Sequence, residues 1–373
     1  MRLSPVLEGL RSYPFVALGE AKAKLIAEGV DVIDFGVGEP REETPAFIRE
    51  ALVAAITPLS TYPLAVGLPE LREAIAAWAA HRFGAALDPA TQVIPTLGSK
   101  EAIFHLAQVL GPGAVAVTTP GYPVPERGAR FAGREVLELP LTAENDFLPD
   151  LDALPRDGLA LLWLNYPNNP TAATAPQELY VRAAALARER GFVVASDEAY
   201  SELYFGRRPG SALQLEDLRN VVALNTLSKR SSMPGYRSGF VAGDSEIVAA
   251  LKRYRPNVGV APQEFVQRAA VAAWGDEAHV DAVRALYAAK REVLLPALRA
   301  AGLEPAGGDA TFFLWLRAPA GAAEALLAHG IVVTPGTFFG PAGEGYVRVA
   351  LVPTLAECER AAQRLSRWRA APR

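Results

Sequence analysis

Two apolar runs decide the fold, FVVASDEAY at residues 192–200 and VVALNTLSK at residues 221–229. Each is nearly continuous in apolar residues and turns polar at its end, which is typical of strands buried on both faces of a parallel sheet. The stretch at residues 177–190 is rich in Ala, Glu, Leu and Arg and predicts a crossover helix ahead of the first run. We therefore predict an α/β fold centred on these two strands.

Similar runs extend the predicted sheet on both sides. Between residues 93 and 245, helix-like stretches alternate with four further runs: AVAVTTP (114–120), REVLELP (134–140), LALLWLNYP (159–167) and SGFVAG (238–243). After residue 245 the pattern becomes helical and then closes with three runs typical of a smaller α+β domain: TFFLWLR (311–317), IVVTP (331–335) and YVRVALV (346–352). The expected order is an N-terminal arm that joins the small domain (1–45), a large α/β domain (46–245), connecting helices (246–290) and a small C-terminal α+β domain (291–373).

Composition narrows the class of protein. A chain of 373 residues is too long for a single small hydrophobic core. Its content of 50% hydrophobic and 21% charged residues is ordinary for a well-packed globular protein. A net charge of -4 gives no reason to expect nucleic acid or an anionic membrane as partner. Cys358, the only cysteine, excludes an internal disulfide and a cysteine-rich zinc site, and its helical setting predicts a buried side chain. Without a signal peptide or an apolar run of about 20 residues, the cytoplasm is the expected compartment.

Polar residues follow three of the predicted strands, where open α/β sheets bind ligands. Asn169 follows the run at 159–167, Asp197 ends the core of the next strand, and Lys229 ends the run at 221–229. A buried carboxylate is costly without a partner, and burial lowers the pKa of a lysine and makes its amine a better nucleophile. Lys229 is the one lysine at the end of a core strand. Lys100 opens a helix, and the remaining lysines are predicted to lie on the surface: Lys22, Lys24, Lys252 and Lys290.

The segment TLGSKEAIFHLAQVL (96–110) predicts a helix whose first turn binds an anion. Gly98, Ser99 and Lys100 would present free backbone amides suited to a phosphate, although Ser99 is alternatively a plain N-cap. Pyridoxal phosphate (PLP) chemistry needs a phosphate site of this kind, a lysine for the Schiff base and an acid at the pyridine nitrogen. The chain has no dinucleotide fingerprint or P-loop, and its scattered histidines predict no metal cluster and no hydrolase triad: His81, His105, His279 and His329.

With these residues the sequence resembles the class I and II aminotransferases of PLP fold type I, over essentially the whole chain. The motifs that carry the resemblance are GVGEP (36–40), YPLAVGLPELREAI (62–75), GSKEAI (98–103), PGYP (120–123), NNPT (168–171), SDEAY (196–200), SKRSSMPGYRSGF (228–240) and YVRVAL (346–351). The spacing of eight from Lys229 to Arg237 is typical of the family. The resemblance implies a large domain with a mostly parallel seven-stranded sheet, a smaller α+β C-terminal domain, and PLP as cofactor.

The resemblance also implies roles for the cofactor site. Lys229 would form the Schiff base and move the proton, and Asp197 would pair with the pyridinium nitrogen. Asn169 and Tyr200 would hydrogen-bond the ring oxygen, and Tyr122 would stack on the ring. Phosphate binding is implied for Ser99, Lys100, Thr226 and Arg237.

Substrate and partner roles follow from the same resemblance. Arg348 would clamp the substrate α-carboxylate, aided by the amide of Gly38 and by Asn169. Tyr62 would reach the phosphate of a neighbouring subunit, which implies a homodimer with shared active sites. Ala172 stands where the family has Gly, and at a positive φ it would be strained by about 1 kcal/mol.

Within the family the closer similarity is to the N-succinyldiaminopimelate aminotransferases of bacterial lysine biosynthesis. It implies amino transfer between glutamate and N-succinyl-2-amino-6-oxopimelate, with amino acids and 2-oxo acids as partners. Tyr13 to Phe15 and Arg253 to Gln263 are the segments expected to form the distal pocket, and Arg253 and Arg255 are either its cations or solvated surface residues. The alternatives are an aspartate or broad-specificity aminotransferase, a PLP β-lyase, and the PLP-fold sensor of a DNA-binding regulator, against which the pI of 5.8 argues.

Overall fold

A computed structural model describes residues 4–9 and 14–368. The strands are β1 Ile33–Asp34, β2 Val93–Thr96, β3 Ala114–Thr119, β4 Val136–Pro140, β5 Leu159–Asn165, β6 Val193–Asp197, β7 Val221–Thr226, β8 Gly239–Gly243, β9 Glu304–Pro305, β10 Phe313–Arg317, β11 Ile331–Val332, β12 Thr334–Pro335 and β13 Tyr346–Ala350. The α-helices are α1 Pro5–Gly9, α2 Pro14–Ala27, α3 Ala46–Ala54, α4 Pro69–Phe83, α5 Gly98–Val109, α6 Val124–Phe131, α7 Gln177–Arg190, α8 Leu227–Arg230, α9 Ser245–Tyr254, α10 Glu264–Trp274, α11 Ala278–Ala300, α12 Ala322–Ala328 and α13 Leu355–Leu365.

The central sheet has seven strands in the order β2-β8-β7-β6-β5-β3-β4. The strands β4, β3, β5, β6 and β7 pair in parallel, and β8 is antiparallel to both β7 and β2. The predicted mostly parallel seven-stranded sheet is therefore confirmed. The carboxyl ends of β5, β6 and β7 consequently meet along one edge.

Helices cover both faces of this sheet, which explains why its strands are apolar almost throughout. Along β5, Leu162 faces a core that includes Trp78 of α4 and Tyr180 of α7. The alternate residues Leu161 and Trp163 face a second core that includes side chains of α5 and α9. This alternation follows from the two-residue period of a strand, and burial on both faces removes the polar alternation of a half-exposed strand.

A second, four-stranded sheet has the order β12-β13-β10-β9, with antiparallel pairing, and shares a core with α11 and α13. The strand β1 pairs in parallel with β11, so the N-terminal segment lies beside the C-terminal part of the chain. Cys358 of α13 is fully buried in this core, as its setting predicted. Among the described residues, no helix combines the length and apolar character needed to cross a membrane.

Two expectations about lysines need correction. The strand β7 ends at Thr226, and Lys229 lies in the one-turn helix α8 that follows it. Lys290 was expected on the surface, but its side chain is fully buried in α11, where it forms an ion pair with Glu42. The helix predicted at 177–190 is confirmed as α7, which ends where Gly191 takes a left-handed conformation with φ 75°.

Candidate active site

A cavity of about 450 Å³ opens at the carboxyl ends of β5, β6 and β7. Asn169, Asp197 and Lys229, which follow these strands in the sequence, all line it. The parallel order of the strands brings these residues together although they are far apart in the chain. The cavity is therefore where the strand-end residues can act on one ligand.

Asp197 places a carboxyl group at the base of the cavity. It is 5% exposed, and its Oδ1 accepts a 3.3 Å hydrogen bond from the amide of Ala199. No cation among the described residues forms an ion pair with it. Burial raises the pKa of Asp197 to about 7, although the charge of Lys229 acts in the opposite direction. A cationic ligand atom beside this carboxyl would offset its desolvation.

Glu198, the next residue, is buried on the other side of β6, where protein groups donate hydrogen bonds to its carboxyl oxygens. It accepts a 2.6 Å hydrogen bond from Ser211 Oγ and a 2.8 Å bond from the amide of Ala212. Burial raises its pKa to about 7 as well. Adjacent carboxyls therefore serve different ends, since one faces the cavity and the other anchors the loop at residue 211.

Lys229 places an amine opposite Asp197. The helix α8 begins where Thr226 Oγ1 accepts a 3.2 Å bond from the amide of Ser228, and this turn directs Lys229 into the cavity. Its Nζ donates a 2.9 Å hydrogen bond to the carbonyl of Gly38. Burial and the nearby Arg348 guanidinium lower the pKa of Lys229 to about 8. The amine is therefore available as a nucleophile near neutral pH.

The first turn of α5 and Arg237 form an anion site at one side of the cavity. Leu97, not Ser99, is the N-cap residue, and no side chain caps this helix, so its first amides stay available for a ligand. The guanidinium of Arg237 donates to the carbonyls of Pro234 (2.8 Å) and Leu97 (3.2 Å). Gly98 lies behind this guanidinium, since a Cβ there would be 2.7 Å from Arg237 Nη2.

Arg348, on β13, is held rigidly at the opposite side of the cavity. Its guanidinium donates to Asn169 Oδ1 (2.8 Å) and to the carbonyl of Gly36 (2.7 Å). It also lies over the rings of Phe313 and Phe339, 4.2 and 4.5 Å from their centroids. A planar guanidinium fixed in this way suits the bidentate binding of a carboxylate.

Most of the other expected residues also line the cavity. Ser99, Lys100, Thr226 and Gly38 do so, as do both tyrosines expected at the cofactor ring, Tyr122 and Tyr200. The ring of Tyr200 packs edge-on against Phe312 and Phe313. Lys100 Nζ lies 5.9 Å from the centroid of Tyr122.

Three of the expected residues lie elsewhere or cannot be placed. Tyr62 is 99% exposed and does not line the cavity of its own chain. Tyr13 lies outside the described residues, and Phe15 is described only as part of the backbone of α2.

Arg255 corrects the expectation of a distal cation or a solvated arginine. It is fully buried, donates to the carbonyl of Ala65 (2.8 Å) and pairs with Glu101 (3.3 Å). Arg253 is exposed and does not line the cavity. The segment around these two arginines therefore contributes no charge to the cavity of this chain.

Glu39 is a cavity residue that the sequence reasoning did not single out. It belongs to the motif GVGEP, in which the resemblance implies a role for the backbone amide of Gly38 alone. In the described part of the chain, no group of three His, Cys, Asp or Glu side chains is placed to share a metal ion.

The set of groups around the cavity fits PLP. Asp197 is a buried acid that forms no ion pair with the described residues, Lys229 is an amine with a lowered pKa, and the first turn of α5 with Arg237 suits a phosphate. Gly98 is required at that turn by its φ of 68° and by the closeness of Arg237.

Comparisons with known proteins agree with this geometry. The family described as aminotransferase class I and II matches residues 30–365. An LL-diaminopimelate aminotransferase of Nitratidesulfovibrio vulgaris (strain DP4) is 39% identical, over 98% of this chain and 99% of the relative. The solved structure of a probable N-succinyldiaminopimelate aminotransferase from Thermus thermophilus is 32% identical with a TM-score of 0.87, over 95% of this chain and 99% of that one.

The aspartate aminotransferase of Thermus thermophilus, solved with maleate, is similar to the same degree. It is 31% identical with a TM-score of 0.90, over 98% of this chain and 100% of that one. Enzymes of this family use PLP. By the extent of the family match and the similarity of its relatives, the chain belongs to the class I and II aminotransferases.

Proposed function

We propose that the protein transfers an amino group from the long diamino dicarboxylic acid diaminopimelate, in its free LL form, to 2-oxoglutarate, which becomes glutamate, and that it catalyses the reverse transfer as well. The observation that carries the reaction class is one cavity that holds the amine of Lys229, the buried acid of Asp197 and the guanidinium of Arg348. The substrate is supported by the relatives named LL-diaminopimelate aminotransferases, which align over nearly the whole chain.

In this proposal Lys229 and Asp197 carry the chemistry. When bound, PLP supplies an electron sink that stabilises negative charge at the substrate α-carbon. Lys229 Nζ would hold the cofactor and would accept the α-proton of the substrate, for which a pKa near 8 is well suited. Asp197 would stabilise positive charge at the ring nitrogen, and a charged partner there would in turn keep Asp197 ionised.

The remaining cofactor residues position the ring and the phosphate. Asn169 and Tyr200 are proposed to hydrogen-bond the ring oxygen, with Tyr122 packed on the ring face. The phosphate would be held by residues at the start of α5 and beside it: Gly98, Ser99, Lys100, Thr226 and Arg237. The first turn of α5 supplies backbone amides, and Arg237 supplies the charge.

Arg348 is proposed to bind the substrate α-carboxylate together with the amide of Gly38. Two of its present contacts, Asn169 Oδ1 and the carbonyl of Gly36, are neutral acceptors. A carboxylate is a stronger acceptor than either because the hydrogen bonds become charge-assisted.

Tyr62 supports a homodimer. A tyrosine that is 99% exposed beside the exposed Leu59 and Leu64 is unusual for a monomer surface. We propose that Tyr62 reaches the phosphate in a neighbouring subunit, so that each active site needs two chains. A cytoplasmic location stays a prediction.

Steady-state kinetics with 2-oxoglutarate and a set of amino donors test the substrate. We expect kcat/KM for LL-diaminopimelate to exceed that for aspartate at least tenfold, about 1.4 kcal/mol of transition-state discrimination. A preference for aspartate would keep the aminotransferase and discard the diaminopimelate assignment. N-succinyl-LL-diaminopimelate is the second candidate, because the chain is similar to the probable N-succinyldiaminopimelate aminotransferase of Thermus thermophilus.

A further inference from the structure

The helix α8, which carries Lys229, has little structure of its own to hold it in place. It is a single turn of four residues, closed by a 3.1 Å hydrogen bond from the amide of Ser231 to the carbonyl of Leu227. An isolated turn of helix is marginal and needs contacts from outside. At its start Thr226 Oγ1 accepts from the amide of Ser228, and at its end the contacts come from the beginning of α11. The direction of the Lys229 side chain therefore depends on how α11 holds the end of α8.

A serine, a histidine and an aspartate are hydrogen-bonded in series at this end of α8. Ser231 Oγ lies 2.8 Å from His279 Nε2, and His279 Nδ1 lies 2.6 Å from Asp276 Oδ1. Asp276 also accepts from the amide of His279 (3.0 Å), and these two bonds lower the pKa of its carboxyl. Burial lowers the pKa of His279, so its ring is neutral near pH 7. Because the ionised carboxylate accepts from Nδ1, Nε2 is left to accept from the hydroxyl of Ser231, which fixes one orientation of all three groups.

The same three side chain types form the catalytic triad of serine hydrolases, but here they are closed to a substrate. Ser231 is fully buried and does not line the cavity. His279 is 8% exposed, and its ring packs 5.5 Å from that of Phe47 in α3. A nucleophile needs access to a carbonyl carbon, which a fully buried hydroxyl lacks. The series therefore acts on its neighbour in the chain, the helix α8, and not on a ligand of its own.

Arg230, which precedes Ser231, makes a second contact with the start of α11. Its Nη2 donates to Glu277 Oε1 (2.6 Å) and to the carbonyl of Asp276 (3.3 Å). The carboxylate of Glu277 is 36% exposed, so solvent screens this ion pair. The contact made by His279 is buried and is not screened in this way. Of the two contacts, the one through His279 restricts α8 more.

We propose that His279 is a positioning residue for the reaction, which holds α8 through Ser231 and so keeps the amine of Lys229 directed into the cavity. This inference rests on the proposed role of Lys229 and holds for any amino acid substrate. The helix α11 also packs into the core that it shares with the four-stranded sheet. His279 thus ties the position of Lys229 to that core as well.

Two variants that break the series test the position of the amine. In the cofactor-free protein, the pH dependence of reductive methylation, read by peptide mass spectrometry, gives the pKa of Lys229. Ser231→Ala and His279→Leu should raise this pKa by about half a unit or more, because a displaced amine is better solvated. In the holoenzyme, the pH midpoint of the cofactor absorbance should move by a similar amount. His279→Gln places an amide oxygen where Nε2 accepts, and it should restore most of the wild-type values.

Leu326→Ala is the matched control for a loss of stability, since Leu326 is fully buried in α12 and does not line the cavity. It should lower Tm and leave both pH values unchanged. Ser231→Ala removes a single hydroxyl, so it decides the inference even if His279→Leu does not fold. Unchanged pH values in Ser231→Ala, or an equal shift in Leu326→Ala, would overturn the inference.

The role of Lys229 is checked separately in the same wild-type holoenzyme. Borohydride reduction that places the pyridoxyl group on another lysine would discard the proposed role of Lys229, and the inference with it. A pyridoxyl group on Lys229, with unchanged pH values in Ser231→Ala, would discard the inference about His279 alone.

Discussion

Several buried charges outside the cavity are paired, whereas Asp197 and Lys229 inside it form no ion pair with the described residues. Outside, Arg82 pairs with Glu202 at 2.8 Å, Arg255 pairs with Glu101, and the fully buried Lys290 pairs with Glu42. Inside, Lys229 donates to a neutral carbonyl and Asp197 accepts from a neutral amide. Both groups of residues bear the cost of desolvation, but only the first has opposite charges from the protein to offset it.

This difference distinguishes charges that stabilise the fold by pairing with each other from charges that remain available to bind a ligand. A buried ion pair fixes the elements that carry its partners, as Arg82 and Glu202 fix α4 against the segment that follows β6. A buried charge without an ion pair is costly, and where it also faces a cavity, as Asp197 does and Glu198 does not, a ligand is expected to supply the missing partner.

Lys229→Ala should give the largest effect. We expect complete loss of turnover and of the visible absorbance of the bound cofactor, because no other group can replace the amine that attaches it. Borohydride reduction of the wild-type holoenzyme, followed by peptide mapping, should place the pyridoxyl group on the peptide that contains Lys229.

Lys290→Met is the matched control, since Lys290 is also buried but paired. It should keep the cofactor absorbance and lower the free energy of unfolding by about 3–5 kcal/mol, because Glu42 loses its partner. A pyridoxyl group on any lysine other than Lys229 would contradict the assignment.

Arg348→Lys should lower kcat/KM about a hundredfold or more. The cause is the loss of a bidentate charge-assisted pair with the α-carboxylate, which a lysine does not reproduce. Because every amino acid has this carboxylate, the loss should be similar for all donors. A loss confined to dicarboxylic donors would instead place Arg348 at the distal end of the substrate.

Asp197→Asn should lower activity by about thirtyfold or more, the effect of losing a charge-assisted contact of roughly 2–3 kcal/mol. The same change should stabilise the cofactor-free protein at pH 8. The folded pKa of about 7 lies above the ordinary 3.8, so the folded state loses stability as the pH rises from about 4 to 7. The gain in unfolding free energy, a few kcal/mol at most, should therefore disappear as the pH falls towards 4.

Glu202→Gln is the matched change among the buried charges that form ion pairs. Its effect on the free energy of unfolding should have the opposite sign to that of Asp197→Asn. It leaves Arg82, which is buried with it, without its carboxylate, so the cofactor-free protein should lose about 3 kcal/mol. Denaturant unfolding of the two variants at pH 8 decides the matter. Destabilisation by both changes would end the distinction between the two groups of charges.

Ala172→Gly should give the smallest effect, a stabilisation of about 1 kcal/mol. Ala172 has a φ of 60°, a left-handed conformation that strains any residue with a Cβ, and it directly follows the motif NNPT (168–171). Thermal unfolding should show a rise in Tm with unchanged kcat/KM. An unchanged or lower Tm would show that the buried methyl group offsets the strain.

The sequence predicted the central sheet and the meeting of Asn169, Asp197 and Lys229 because both depend on local patterns. A parallel sheet gathers the ends of its strands, so the order of the runs was enough to place these residues together. The one-turn helix that carries Lys229 was missed because four residues are too few to show a helical period.

Long-range pairing explains the other errors. Lys290 looked solvated because its helix is rich in charged residues, and its partner Glu42 lies 248 positions away in the sequence. The burial of Arg255 likewise depends on Glu101, which belongs to a different helix. No pattern along a single element reveals such pairs, since they exist only once the elements have packed together.

Because two carboxyl residues are adjacent at the end of β6, the geometry of the candidate active site depends on the register of this strand. Asp197 lies opposite Asn165 on β5 and Leu224 on β7, with Glu198 one position further along. A slip of β6 by one residue would exchange the two sides and present Glu198, which is longer, to the cofactor nitrogen. It would also take the acid away from Ser211 and Ala212. A misaligned chain would thus place an acid of the wrong length at the proposed position of the cofactor nitrogen and lose a loop anchor in the same event.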